Sequence, residues 1–139
     1  MDVAAIKQFI IDWIDANKAE FDACSQFLFD NPELGMQEFE AVKMFTGIAE
    51  KHGFTVEKGV AGMPTAFVAT YGSGKPVLGF NIEYDCLPGL SQKVSGQKDP
   101  VIEGAPGHGC GHCILGVGGM QAGIALRHAM EKFGFKGTI

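Results

Sequence analysis

The chain has no surplus of positive charge: its 139 residues carry 11 Lys and Arg against 16 Asp and Glu, a formal net charge of −5. Without a basic patch there is no electrostatic footprint for nucleic acid, so polyanionic partners are disfavoured. An unbroken apolar run is also missing. Asp12, Asp15, Lys18 and Glu20 interrupt the N-terminal stretch, so neither a signal peptide nor a membrane span is expected. Cysteine is sparse, at four residues. With no secretion signal, these are expected to be reduced thiols in the cytoplasm, Cys24 and Cys86 lying in the core as small hydrophobes. There is no repeat at a fixed spacing and no low-complexity tract.

What is present is the make-up of one globular domain, 46% hydrophobic and 19% charged, long enough to bury a core. From Val3 to Leu28 the apolar residues Ile6, Phe9, Ile10, Trp13, Ile14, Phe21, Cys24 and Leu28 recur at three- and four-residue spacing, which predicts one amphipathic helix ending at Asn31-Pro32. A second helix is expected from about Met36 to His52, closed by Gly53, followed by a short strand over Phe54–Val56. Thr65–Thr70 and Val77–Ile82 read as two strands of a hairpin across the glycine-rich turn 71–76. That turn is not a phosphate loop: position 69 is alanine, and Lys75 is followed by Pro76.

Residues 88–106, rich in Gly and Pro, predict a long loop of the kind that carries function or is disordered. A third helix is expected over Ile114–Phe133, closed by Gly134, with Gly116, Gly118, Gly119 and Gly123 allowing close packing against a sheet. A β-type segment begins at Gly137. The element order indicates an α/β fold with helices on a mixed β-sheet.

The chemistry concentrates in Gly107-His-Gly-Cys-Gly-His-Cys113. If this stretch is extended, His108, Cys110 and His112 point the same way. Thiolate and imidazole suit a zinc-type ion. Cys110 and His112 can supply two ligands; a closed structural shell needs more, and seven glycine-spaced residues leave little span to wrap one ion. Cys110 and Cys113 also form a C-x-x-C at a helix start, which leaves a small zinc-binding or redox domain open as an alternative. His52 and His128 stand isolated in the sequence. Upstream, Glu83-Tyr84-Asp85 leaves the end of a predicted strand, where α/β proteins place ligands. Asp85 could orient a metal-ligating imidazole or cap the following loop.

Taken together and in order, Asn31-Pro32-Glu33-Leu34 with Glu38, Glu83-Tyr84-Asp85 with Leu87-Pro88-Gly89-Leu90, and Gly107 to His112 resemble the co-catalytic metallopeptidase and amidohydrolase family of aminoacylases, glutamate carboxypeptidases and indole-acetyl-amino-acid hydrolases. Within it the likeness is greatest to the aminobenzoyl-glutamate hydrolase branch. The resemblance implies part of a three-layer, zinc-exopeptidase-like catalytic domain. It also implies two divalent ions, Zn or Mn, with Cys110 bridging them, His112 as a ligand and Asp85 supporting the site. Glu83 stands where other branches have a histidine ligand and is the poorer donor; His108 has no assigned role; Cys113 replaces the usual asparagine or aspartate.

In that family the next strand ends in two glutamates, one a ligand and one the general base, and after Glu131 this chain has no carboxylate side chain. The resemblance therefore implies that residues 1–139 form the N-terminal part of a single catalytic domain, with its remainder and a dimerisation domain absent. The implied function is cleavage of an amide bond in N-acyl amino acid or aminobenzoyl-glutamate-like substrates by metal-activated water. The isolated chain is expected to be inactive, and to form a homo-oligomer or associate with its missing half.

Overall fold

The computed structural model describes residues 2–139. The N-terminal helix starts where Asp2 caps it, its carboxylate accepting from the Ala4 and Ala5 amides at 3.0 and 3.2 Å. The expected single helix is two, α1 (Val3–Ala16) and α2 (Lys18–Asp30). The break is at Asn17, whose side-chain amide donates to the Trp13 carbonyl at 2.7 Å and so competes with the helical ladder. Helix α3 covers Phe39–Lys51, later than expected because Met36 adopts a left-handed φ of 67°. Gly53, at φ 82°, sits where a left-handed C′ residue is needed, and Phe54 N–H reaches back to the Ala49 carbonyl at 3.0 Å.

Strand β1 (Thr55–Lys58) pairs antiparallel with β2 (Phe67–Thr70), in register from Thr55 opposite Thr70 to Lys58 opposite Phe67. The expected hairpin between 65–70 and 77–82 does not form. β2 pairs instead with the strand before it, and the glycine-rich turn, with Gly72 at φ 81° and Gly74 at φ 87°, redirects the chain. Strand β3 (Gly72–Ser73) joins β4 (Gly137–Thr138) antiparallel. The 77–82 segment runs on as extended chain, tied at its start by Leu78 N–H to the Thr138 carbonyl at 2.9 Å. The architecture is mixed α/β, with helices and two small antiparallel sheets, compatible with a partial peptidase-like domain.

Helix α4 (His112–Phe133) is the spine. It packs on α1 and α2, and the core gathers Phe21, Leu28, Phe45, Ala49, Val117 and Ile124. Cys24 and Cys86 are buried free thiols, as their hydrophobic character predicts. The α4 glycines lie at 116, 119 and 123 along one face, and a Cβ at each would meet the Glu83 backbone, the Ile82 side chain and Phe80 in turn. Stripped of side chains, that face forms a groove in which residues 80–83 lie directly on the helix. The groove aims the end of the extended segment at the first turn of α4. Among the described residues no helix is long and apolar enough to cross a membrane.

Candidate functional site

The extended segment alternates, so Asn81, Glu83 and Asp85 tend to one side. Their chain is fixed at both ends: residues 80–83 lie in the glycine groove of α4, and Cys86 N–H donates to the Glu33 carbonyl at 2.8 Å. The Asp85 carboxylate therefore arrives at the N-terminal turn of α4 and lies 2.7 Å from His112 Nδ1, with the Asp85 carbonyl also at 3.1 Å from that nitrogen. On the opposite edge of the ring, His112 Nε2 is 3.1 Å from Glu83 Oε2. Asn81 donates its side-chain amide to the other Glu83 oxygen at 3.1 Å. His112 is thus held between two carboxylates, one of them oriented by an amide.

The Gly107–Cys113 stretch is not extended. Gly111 N–H closes a turn onto the His108 carbonyl at 3.1 Å and Gly111 takes φ 75°, so the three side chains do not line one edge. Cys110 is exposed at the tip of this turn, while Cys113 has entered α4 and the core at 5% exposure. Burial pushes the Cys113 thiol above the ordinary cysteine value.

A divalent ion is compatible with the donors at His112. A ligating imidazole whose other nitrogen is held by a carboxylate is the common arrangement at protein metal sites, and Asp85 provides it on Nδ1. The Nε2 edge, with Glu83 beside it, and the exposed Cys110 thiol two positions earlier offer nitrogen, oxygen and sulfur donors. Among the described residues, no three His, Cys, Asp or Glu side chains converge as a complete shell.

His108 stays apart from this set. Burial pushes its imidazole below the ordinary histidine value, against smaller opposing effects of the Leu28 carbonyl and Asp85. The other carboxylates of the resemblance serve the scaffold. Glu33 caps α3, accepting from the Glu40 and Ala41 amides at 3.1 and 2.9 Å. Glu38 is 7% exposed and accepts from Thr65 Oγ1 at 2.5 Å. The Tyr84 hydroxyl donates to the Thr65 carbonyl, and burial, with Glu38 nearby, pushes it up to about 12.

Two histidines that look isolated in the sequence meet in space: His52 Nδ1 lies 3.2 Å from His128 Nε2, with Trp13 stacked on His128 at 4.9 Å between centroids. Arg127 Nη1 lies 3.0 Å from His128 Nδ1. Arginine can only donate, so His128 accepts at Nδ1 and donates from Nε2 to His52, and both rings are neutral. Glu83 and Asn81 are brought to His112 by the fold although sequence reasoning assigned them little weight. Their signal was the alternation with Asp85, which puts all three on one side of an extended segment.

No family model matches the chain. Its sequence is 38% identical over 135 residues to a subunit of the p-aminobenzoyl-glutamate hydrolase of Escherichia coli (strain K12), a match covering 96% of this chain and 28% of that protein. It is 28% identical over 131 residues to the Xaa-Arg dipeptidase of Homo sapiens, covering 85% of this chain and 26% of the relative. The Xaa-Arg dipeptidase of Mus musculus is 27% identical over 140 residues, with 94% and 29% covered. The chain spans less than a third of the length of the curated relatives it matches.

Proposed function

Over the residues it spans, the chain belongs to the amidohydrolase and peptidase family that contains the p-aminobenzoyl-glutamate hydrolase subunit and the Xaa-Arg dipeptidases; from that premise we propose that it carries one side of a metal-dependent amide-hydrolysing centre. The substrate class is an N-acyl amino acid or an aminobenzoyl-glutamate-like amide. The observation that carries the reading is the His112 imidazole fixed by Asp85 on Nδ1 at 2.7 Å.

In this reading His112 and Cys110 would hold Zn or Mn. Asp85 is the carboxylate that keeps the ring in one tautomer, with the proton on Nδ1 and Nε2 left as the donor atom. A bound divalent ion supplies Lewis acidity, lowering the pKa of water and polarising the scissile carbonyl. The glycine groove of α4 holds the backbone of Glu83, and Asn81 holds its carboxylate, so negative charge stays on the Nε2 side of the ring. Four free thiols suit a reducing compartment such as the cytoplasm. Association, with a second copy or another subunit, is assigned to the apolar wall formed by Val77, Leu78 and Phe80, exposed by 67%, 48% and 41%.

The test is Zn²⁺ affinity measured by competition with a chromophoric chelator. Asp85→Asn weakens it by about 10- to 100-fold, as loss of a carboxylate behind a ligating histidine does. His112→Ala and Cys110→Ala each weaken it at least as much. Unchanged affinity in all three variants would remove the metal centre from this motif.

A further inference from the structure

Strand β4 is bonded on both of its sides. Tyr71 and Ile139 exchange both backbone hydrogen bonds at 2.9 Å, while Thr138 N–H donates to the Pro76 carbonyl at 2.8 Å and the Thr138 carbonyl accepts from Leu78 N–H at 2.9 Å. β4 thereby holds the β2 side and the 77–82 segment one strand's width apart. In line with β4, the space between those two walls is a cavity of about 300 Å³, lined by Phe67, Ala69 and Phe80 and by Gly119, Met120 and Gly123 of α4.

Both walls present backbone edges to this cavity. Gly59 N–H donates to the Ala66 carbonyl at 2.8 Å on the β1 side, and bonded and non-bonded residues alternate along an antiparallel strand. Val68 and Thr70 therefore turn their N–H and C=O to β1, and Phe67 and Ala69 turn theirs to the cavity, the side on which Tyr71 meets β4. Across from them, the Pro76 carbonyl and Leu78 N–H face β4. Continuing that alternation, the Leu78 carbonyl, both groups of Phe80 and Ile82 N–H face the cavity. None of these cavity-facing groups has a backbone partner among the described residues. The side chains follow the same alternation: Phe67, Ala69 and Ile139 pack against the core, whereas Val68 is 49% exposed.

A hydrocarbon could fill the cavity and would leave both edges unpaired. An extended polypeptide pairs with both and lays alternate apolar side chains on α4. We infer that the cavity between β2 and the 77–82 segment takes an extended strand from a second polypeptide, antiparallel to β2 and parallel to residues 78–82. Its direction is that of β4, which runs antiparallel to Gly72–Ser73 and parallel to Val77. The inference rests on the association assigned above to Val77, Leu78 and Phe80, and names a strand as the partner.

The probe is the acetylated, amidated pentapeptide Lys-Val-Thr-Val-Lys, whose two valines fall opposite Ala69 and Phe67 in that register. It is titrated into the metal-free chain and followed through the amide resonances of Phe67, Ala69, Phe80 and Ile82. These four shift saturably. N-methylation of either valine removes a donor to β2 and lowers the affinity at least about fivefold, the equivalent of one lost hydrogen bond. The pattern-inverted peptide Val-Lys-Val-Lys-Val, which turns lysine onto α4, binds more weakly still. A nitroxide on the peptide's N-terminus broadens the Ile139 amide before that of Ile82; the opposite order overturns the direction.

Absence of a saturable shift, or an N-methylated peptide that binds as tightly as its parent, overturns the inference. A dimer whose own amides at the four positions are protected from exchange, and which takes up no peptide, overturns the choice of partner in favour of a second copy. Sedimentation velocity separates this inference from the reading it rests on. Self-association that Leu78→Asp abolishes, with peptide binding indifferent to N-methylation, keeps the apolar wall and sinks the strand. A monomeric chain that takes up no peptide sinks both.

Discussion

Gly116→Ala probes the contact that places Glu83 and Asp85 at His112. A Cβ at position 116 would stand 3.2 Å from Phe45 Cζ and 3.3 Å from the Glu83 carbonyl carbon, and closer still to the Glu83 oxygen. Phe45 is 1% exposed and the Glu83 partner is backbone, so neither can yield by a simple rotamer change. Overpacking of this sort costs about 1–3 kcal/mol, against a gain of about 1 kcal/mol in helix propensity when Gly becomes Ala. The net expectation is a loss of up to about 2 kcal/mol, a fall in Tm of up to several degrees for a chain of this size.

Gly118→Ala, two residues away on the exposed side of the same helix with nothing within 4 Å of its Cβ, is the control. It keeps the propensity gain and should stabilise by up to about 1 kcal/mol. Thermal unfolding followed by circular dichroism reads both. Opposite signs support the groove; a Gly116→Ala chain as stable as the Gly118→Ala chain would refute the claim that α4 and the 80–83 segment touch backbone to backbone. Displacement of the Glu83 backbone should also shift Asp85 from His112 and weaken Zn²⁺ binding, which Gly118→Ala should not do.

Burial pushes His52 and His128 below the ordinary histidine value; on His52 the Glu20 carboxylate opposes this while Lys51 and Arg127 add to it, and on His128 Arg127 and His52 add to it while Glu131 opposes it. The unfolded chain therefore binds more protons than the folded one under mildly acid conditions. The stability these neutral rings contribute is fully present above the free-imidazole pKa of about 6.5 and is lost as pH falls through the lower folded values. Urea midpoints should fall on acidification below about pH 6.5, and more shallowly in a His52→Gln, His128→Gln double variant; equal slopes would contradict the buried pair. Native thiol labelling should modify Cys110 first, since it is exposed while burial pushes the thiols of Cys24, Cys86 and Cys113 up. Mass mapping that finds Cys113 labelled as fast as Cys110 would show that α4 does not begin as described.

Helix patterning was legible where the period puts residues into the core, Phe21, Cys24 and Leu28 on α2 and Phe45 and Ala49 on α3, whereas Phe39 at the start of α3 is 57% exposed and on α1 Ile6 alone of the apolar positions is buried. The break at Asn17 was not, because it depends on a side-chain amide competing for the Trp13 carbonyl while the apolar period runs on across it. Strand existence near 67–70 was readable and its partner was not, since alternation says which face is buried and nothing about which neighbour supplies the hydrogen bonds. At the site, Asp85, Cys110 and His112 came from motif and spacing. The second carboxylate at His112, the turn that parts Cys110 from Cys113, and the meeting of His52 with His128 across 3.2 Å are products of the tertiary fold. The glycines of α4 lowered helix propensity in the sequence; in space they are the surface that seats the site-bearing segment.

The central claim is that Cys110 and His112, with Asp85 behind the imidazole, form one side of a metal centre. Zinc K-edge absorption on the zinc-loaded chain tests it most directly. The account predicts one sulfur at about 2.3 Å with nitrogen or oxygen donors at about 2.0–2.2 Å, and loss of the sulfur scatterer in Cys110→Ser but not in Cys113→Ser. A shell with no sulfur, or one whose sulfur survives Cys110→Ser and disappears in Cys113→Ser, would contradict it.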